Sequence, residues 1–203
     1  MSNKRFCLAI SGASGFQYGL RLMDVLLSQG HTVYLLLSDA AREVARIECS
    51  LDIAIPPDDQ HRFFEQYFER CLPTLHCFEK HDWLAPVASG SANLDAMIIC
   101  PCSTGTLASI ASGLCASLTQ RAASVCLKEG HPLIVVPRET PMSTIHLQHM
   151  ASLSAMGVCV LPAAPGFYYQ PTTVGELVDF VVGKVLRQLK LDQQLLKAWG
   201  QQG

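Results

Sequence analysis

The sequence predicts a doubly wound α/β domain, a parallel sheet buried between two layers of helices. Two observations carry this reading. Short, almost wholly apolar runs recur at 6–11, 32–37, 96–100, 133–136 and 158–161, which suits strands covered on both faces. Between them, 17–28, 39–48, 104–112, 118–129, 144–156 and 174–189 carry apolar residues at helical spacing, so strand and helix alternate.

Taken in order, the first run ends at Gly12-Ala13-Ser14-Gly15, a turn into the first helix, and the second gives way at Ser38 to the helix over 39–48. From 51 to 70 the pattern is less regular, two prolines followed by a Phe/Tyr-rich helical patch, and 75–78 adds a short strand. The run at 96–100 passes through "CPCSTGT" into two helices. The next passes through "PRET" into the helix over 144–156. The last enters "PAAPGFYYQP", too rich in Pro and Gly for regular structure, before the final helix. No repeat or linker interrupts the chain, so one domain is expected over 1–203, with a C-terminal helix and tail from about 173.

Composition narrows the function. A formal net charge of -2 with 16% charged residues leaves no basic field for nucleic acid or an anionic membrane. No apolar stretch approaches the ~20 residues of a membrane span, and a cytoplasmic protein is expected. Of nine cysteines, Cys7, Cys100, Cys126 and Cys159 sit among aliphatic neighbours, as small hydrophobes in a reducing compartment do. "CPC" at 100–102 lacks a second Cys/His pair at zinc spacing, so no metal is expected. High apolar content with little charge predicts surface covered by copies of the chain.

In a doubly wound sheet, ligands bind beyond the carboxyl ends of the strands. The Gly12–Gly15 turn can offer helix N-terminal amides and the Ser14 hydroxyl to an anion; an ordinary tight βα turn accounts for it equally well. Its G-x-x-G-x-x-x-G spacing is not the dinucleotide fingerprint, and the second strand ends in Ser38-Asp39 without an acid clearly placed for a ribose diol. Ser38 and "CSTGT" (102–106) repeat small hydroxyl residues at strand ends, as helix caps or as parts of one mononucleotide site. Arg121 and Lys128, seven apart, share a helix face that is either solvated or a second anion site. Arg138 and Glu139 follow a buried strand directly, where such a couple can bind phosphate and handle a proton. "PAAPGFYYQP" is a connection or a rigid lid presenting Tyr168. Trp83 and Trp199 are read first as packing residues, and otherwise as site walls.

Together, "SGASG", "ASGS" (88–91), "CPCSTGTLASIASG", "RAASVCLKE", "PRETPMSTIHLQHM" and "LPAAPGFYYQP" resemble the flavin prenyltransferase family of the bacterial UbiX and fungal Pad1 type, in order over nearly the whole chain. The resemblance implies a flavodoxin-like fold in a homo-dodecamer, with flavin sites at subunit interfaces. The implied reaction transfers the dimethylallyl group of dimethylallyl phosphate to N5 and C6 of reduced FMN and releases phosphate without metal. Its product serves a UbiD-type decarboxylase, in many bacteria for ubiquinone biosynthesis. By matched motifs, Gly12, Ala13, Ser14, Ser38, Cys102, Ser103, Thr104, Gly105 and Arg138 would hold FMN. Arg121, Lys128, Tyr168 and Lys184 would hold the donor phosphate, Trp83 would face the allyl group, and Glu48 and Glu139 would move protons.

Lys184 stands where relatives commonly carry arginine, keeping charge but losing the bidentate fork, and Tyr169 stands where histidine is common. Two other functions compete. A related flavoprotein that decarboxylates peptidyl or pantothenoyl cysteine would carry "PxANT" where this chain has "PCSTGT", and an Asn-x-Met-Trp motif absent here. A flavin-delivery module would not need Arg121, Lys128, Glu139 and Tyr168.

Overall fold

Apolar runs buried on both faces must satisfy their backbone groups against one another. The computed structural model, which describes residues 3–196, shows them aligned as six parallel strands: β1 (Arg5–Ile10), β2 (Thr32–Leu37), β3 (Leu75–Phe78), β4 (Ala96–Cys102), β5 (Leu133–Pro137) and β6 (Cys159–Val160). Six α-helices lie between the strands and a seventh follows the last: α1 (Phe16–Ser28), α2 (Asp39–Cys49), α3 (Pro57–Tyr67), α4 (Thr104–Ala111), α5 (Leu118–Glu129), α6 (Thr144–Ala155) and α7 (Val174–Gln188). The irregular 51–70 stretch contains α3, with Pro57 at its first position, where a missing N–H costs nothing. Trp199 lies outside the described residues.

The strand order is β3-β2-β1-β4-β5-β6. Without the short edge strand β3, the remaining five follow the flavodoxin-type order; β3 extends that order by one. The chain reverses direction across the sheet between β1 and β4, and a crevice opens at such a switch point.

Alternation within the strands sorts the core into two layers. Phe6, Leu8 and Ile10 of β1 pack with α1, α3 and α7, whereas Cys7 and Ala9 pack with α4, α5 and Leu153 of α6. Full burial of a side chain the size of Phe6, Leu8 or Ile10 contributes about 1.5–3 kcal/mol. Gly19 lets α1 sit close to the sheet: a Cβ there would lie 2.5 Å from Ile10 Cδ1 and 2.6 Å from the Cys100 carbonyl oxygen.

β4 runs two residues past the expected 96–100, because Cys102 still pairs with Pro137 of β5. β6 is shorter than expected. α6 buries only Leu153 and leaves Ile145 and Leu147 more than half exposed. Among the described residues, no helix is long and apolar enough to cross a membrane.

Candidate active site

The first wall of the crevice is the β1–α1 turn. A Cβ at Gly12 would fall 2.3 Å from that of Ala40, so this glycine lets the turn pack on the start of α2. Gly15 caps α1 at φ +99°, in the left-handed region. The amides at the mouth of α1, which the sequence allows either to face an anion or to serve a plain turn, donate to a carboxylate of the chain itself: Gly15 N and Phe16 N reach Glu48 Oε2 at 2.8 and 3.1 Å. Partial burial alone would raise the Glu48 pKa. Hydrogen bonds from Ser14, Gly15 and Phe16, with the nearby Arg138 charge, outweigh it and hold the carboxyl below its ordinary range.

The next two strand ends are built alike. Ser38 Oγ accepts from Ala41 N at 3.0 Å and caps α2; Ser103 Oγ accepts from Thr106 N at 3.3 Å and caps α4. A Cβ at Gly105, on the first turn of α4, would meet only open space, leaving room in front of the orphan amides there. Between these ends lies a cleft of ≈ 380 Å³ lined by Ser11, Ser38, Lys80, Thr106, Ser117 and Gln120, among others. Burial pushes the Cys102 thiol up to about 12, so it stays protonated and acts as a small apolar group.

Arg138 closes the crevice from β5. Its N–H donates to the Cys102 carbonyl at 3.3 Å, and its Nε is buried without a hydrogen-bond partner among the described residues. Both Glu48 and the half-buried Tyr18 phenol feel its charge. Arg138 and Glu139 form no ion pair with each other; Glu139 Oε1 instead accepts from Thr140 N at 3.0 Å.

Beyond β6, the 162–171 segment leans on α7. The Tyr168 and Tyr169 rings meet Phe180 edge-on at 5.6 and 5.7 Å, and Lys184 Nζ sits 5.2 Å over the same ring. Lys184 also lines a ≈ 360 Å³ cleft with Leu161, Pro162 and Ala164. Tyr168 and Lys184 are thus brought together around Phe180.

Arg121, Lys128 and Trp83 each have other neighbours. Arg121 Nε donates to the Ala88 carbonyl at 3.0 Å, Lys128 pairs with Glu129, and the half-exposed Trp83 tilts against His81. Arg121 and Lys128 lie on α5, whose buried residues pack in the core layer opposite that of α7, which carries Lys184. Among the described residues, no group of three or more His, Cys, Asp or Glu side chains could hold a metal ion.

Two residues of this neighbourhood escape a sequence reading, Tyr18 and Ser11. Tyr18 lies over Gly15, where a Cβ would be 2.6 Å from its ring, but its helical spacing reads as packing. Ser11 reads as the last residue of a strand.

The match to known proteins agrees with this geometry. The Flavoprotein family model covers residues 1–186. The flavin prenyltransferase UbiX of Pseudomonas aeruginosa is 48% identical over 199 residues, 98% of this chain and 95% of that protein. The chain belongs to the flavin prenyltransferase family. Among solved structures, AnUbiX in complex with FMN and dimethylallyl pyrophosphate superposes on this family member with a TM-score of 0.85 at 32% identity, covering 98% of each chain. A dodecameric FMN-dependent Ubix-like decarboxylase from Escherichia coli O157:H7 does so with a TM-score of 0.84 at 35% identity, covering 96% of this chain and 98% of that one.

Proposed function

We propose that the chain binds FMN at the carboxyl edge of its sheet and joins to the reduced flavin the dimethylallyl group of dimethylallyl phosphate, releasing phosphate. The observation that carries this reading is Arg138: a guanidinium whose buried Nε has no partner among the described residues, where the ends of β1, β4 and β5 converge. A buried donor without a partner costs stability and fits an anionic or carbonyl-bearing ligand. Gly12, Ala13, Ser14, Ser38, Cys102, Ser103, Thr104 and Gly105 complete the flavin site.

Reduced flavin supplies the nucleophilic N5 and C6 when bound. The chain's task is to hold the donor and neutralise its leaving group. Tyr168 and Lys184, joined at Phe180, present a phenol and an ammonium to the phosphate as its carbon–oxygen bond breaks. Glu139 gives the departing phosphate a proton. Glu48, held ionised by the mouth of α1, accepts one during ring closure.

Arg121 and Lys128 lie on α5, in the layer opposite α7 and its Lys184, so a second copy brings the two cations to the phosphate, with the Trp83 indole face on the allyl group. The exposed Ile145 and Leu147 of α6 fit such an assembly, as does the dodecamer of the similar protein. The product passes to a UbiD-type decarboxylase.

The test is an anaerobic mixture of the protein, reduced FMN and dimethylallyl phosphate, followed by the flavin's mass and free phosphate. A gain of one C5H8 unit with equimolar phosphate is expected. Bound FMN of unchanged mass would reduce the protein to a flavin-binding module, and replacing the monophosphate by the diphosphate identifies the preferred donor.

A further inference from the structure

Ser11 is one of few buried polar side chains, 3% exposed. Its Oγ donates to the Pro101 carbonyl at 3.1 Å and accepts from Ser103 N–H at 2.7 Å. Its own N–H donates to the same Pro101 carbonyl at 3.2 Å. One residue at the end of β1 therefore grips β4 on both sides of Cys102.

That grip falls where β4 leaves register with β5. Ile99 opposes Val135 and Cys102 opposes Pro137, so β4 advances three residues while β5 advances two. Such a bulge frees backbone groups and re-aims the chain beyond it, and buried groups so freed need partners. Ser11 supplies them. Beyond the bulge, Ser103 caps α4 and the Cys102 carbonyl receives the Arg138 N–H. The hydroxyl thus fixes both the mouth of α4 and the backbone from which the Arg138 side chain departs.

We infer that Ser11 is a positioning residue for flavin binding, acting through the 101–103 backbone on the 102–105 segment and on Arg138. This rests on the reading of the crevice as the FMN site. In Ser11→Ala, the Ser103 N–H loses its acceptor and the Pro101 carbonyl loses one of two donors. The cost appears where the strand end meets ligand.

The experiment compares the flavin-free full chain as wild type, Ser11→Ala and Ser11→Thr by hydrogen exchange, thermal melting and FMN titration. Ser11→Ala is expected to speed exchange over 101–106 and to raise the FMN dissociation constant about tenfold, the effect of leaving one buried donor unsatisfied. Ser11→Thr, which keeps the hydroxyl, is expected to restore both. A lower melting midpoint in Ser11→Ala with unchanged FMN affinity of the folded protein overturns the inference, as does a Ser11→Thr protein impaired like the alanine variant. Should Ser11→Ala fail to fold, Ser11→Cys, a poor hydrogen-bonding near-isostere, carries the same expectation. A wild type that does not bind FMN refutes the flavin reading itself; a wild type that binds, matched by Ser11→Ala, refutes only the role of Ser11.

Discussion

The two halves of the crevice use their polar groups differently. Around the ends of β1, β2 and β4, the groups at the turns have partners within the chain: Ser38 and Ser103 cap helices, Glu48 takes the amides at the mouth of α1, and Ser11 is bonded in both directions. Around β5, β6 and α7, among the described residues, Arg138 Nε has no partner, Lys184 rests on an aromatic face rather than a carboxylate, and Phe167 is 72% exposed. The first half is spent on building the turns, so ligand affinity there comes from backbone shape. In the second half, unmet bonding capacity remains for ligand or for another copy.

Arg138→Met tests this contrast most severely. Loss of the guanidinium is expected to weaken FMN binding up to about a hundredfold, since a hydrogen bond from a charged group contributes about 1.5–3 kcal/mol. The ligand-free melting midpoint should hold or rise, because a buried polar atom without a partner is removed. A fall in midpoint with FMN affinity intact would place Arg138 in the structural half.

A smaller effect is expected at Lys184. Lys184→Ala should raise the KM for dimethylallyl phosphate about tenfold, the loss of one charged contact, with FMN occupancy unchanged in titration. Lys184→Arg should lower that KM through the bidentate fork. An unchanged KM in the alanine variant removes Lys184 from the phosphate site.

The smallest effect belongs to the self-satisfied half. Glu48→Ala should cost about 1 kcal/mol at neutral pH, typical of a net intramolecular hydrogen bond, read by chemical denaturation without ligand. Because the folded carboxyl titrates below its ordinary range, near 4.3 when unperturbed, its stabilisation is complete above that range and fades as pH falls through the lower folded value. The gap between wild type and Glu48→Ala should therefore be constant from neutral pH to about pH 5 and close in acid. A gap insensitive to acid would deny the carboxylate its role at α1.

The alternation of buried strands and amphipathic helices was legible because burial on both faces demands apolar runs and burial on one demands a helical stripe. The 96–100 strand end was not, because Pro101 reads as a stop. Only the partner strand and Ser11 reveal that pairing continues to Cys102. Likewise "SGASG" announced a turn, but whether its amides faced a ligand or the protein depended on Glu48, some thirty residues away.

The sequence by itself determined the doubly wound class and the turns where chemistry gathers, since periodicity and turn residues are local properties. Through its motifs it also named the family. Tertiary structure decided which polar groups are already satisfied. It set Arg138 apart from Ser38 and Ser103, joined Tyr168 to Lys184 through Phe180, put α5 with Arg121 and Lys128 in the layer opposite α7, and gave Ser11 its hold on β4. The physical reason is that a hydrogen-bonding group's remaining capacity depends on neighbours distant in the chain, which strand order and register bring within reach.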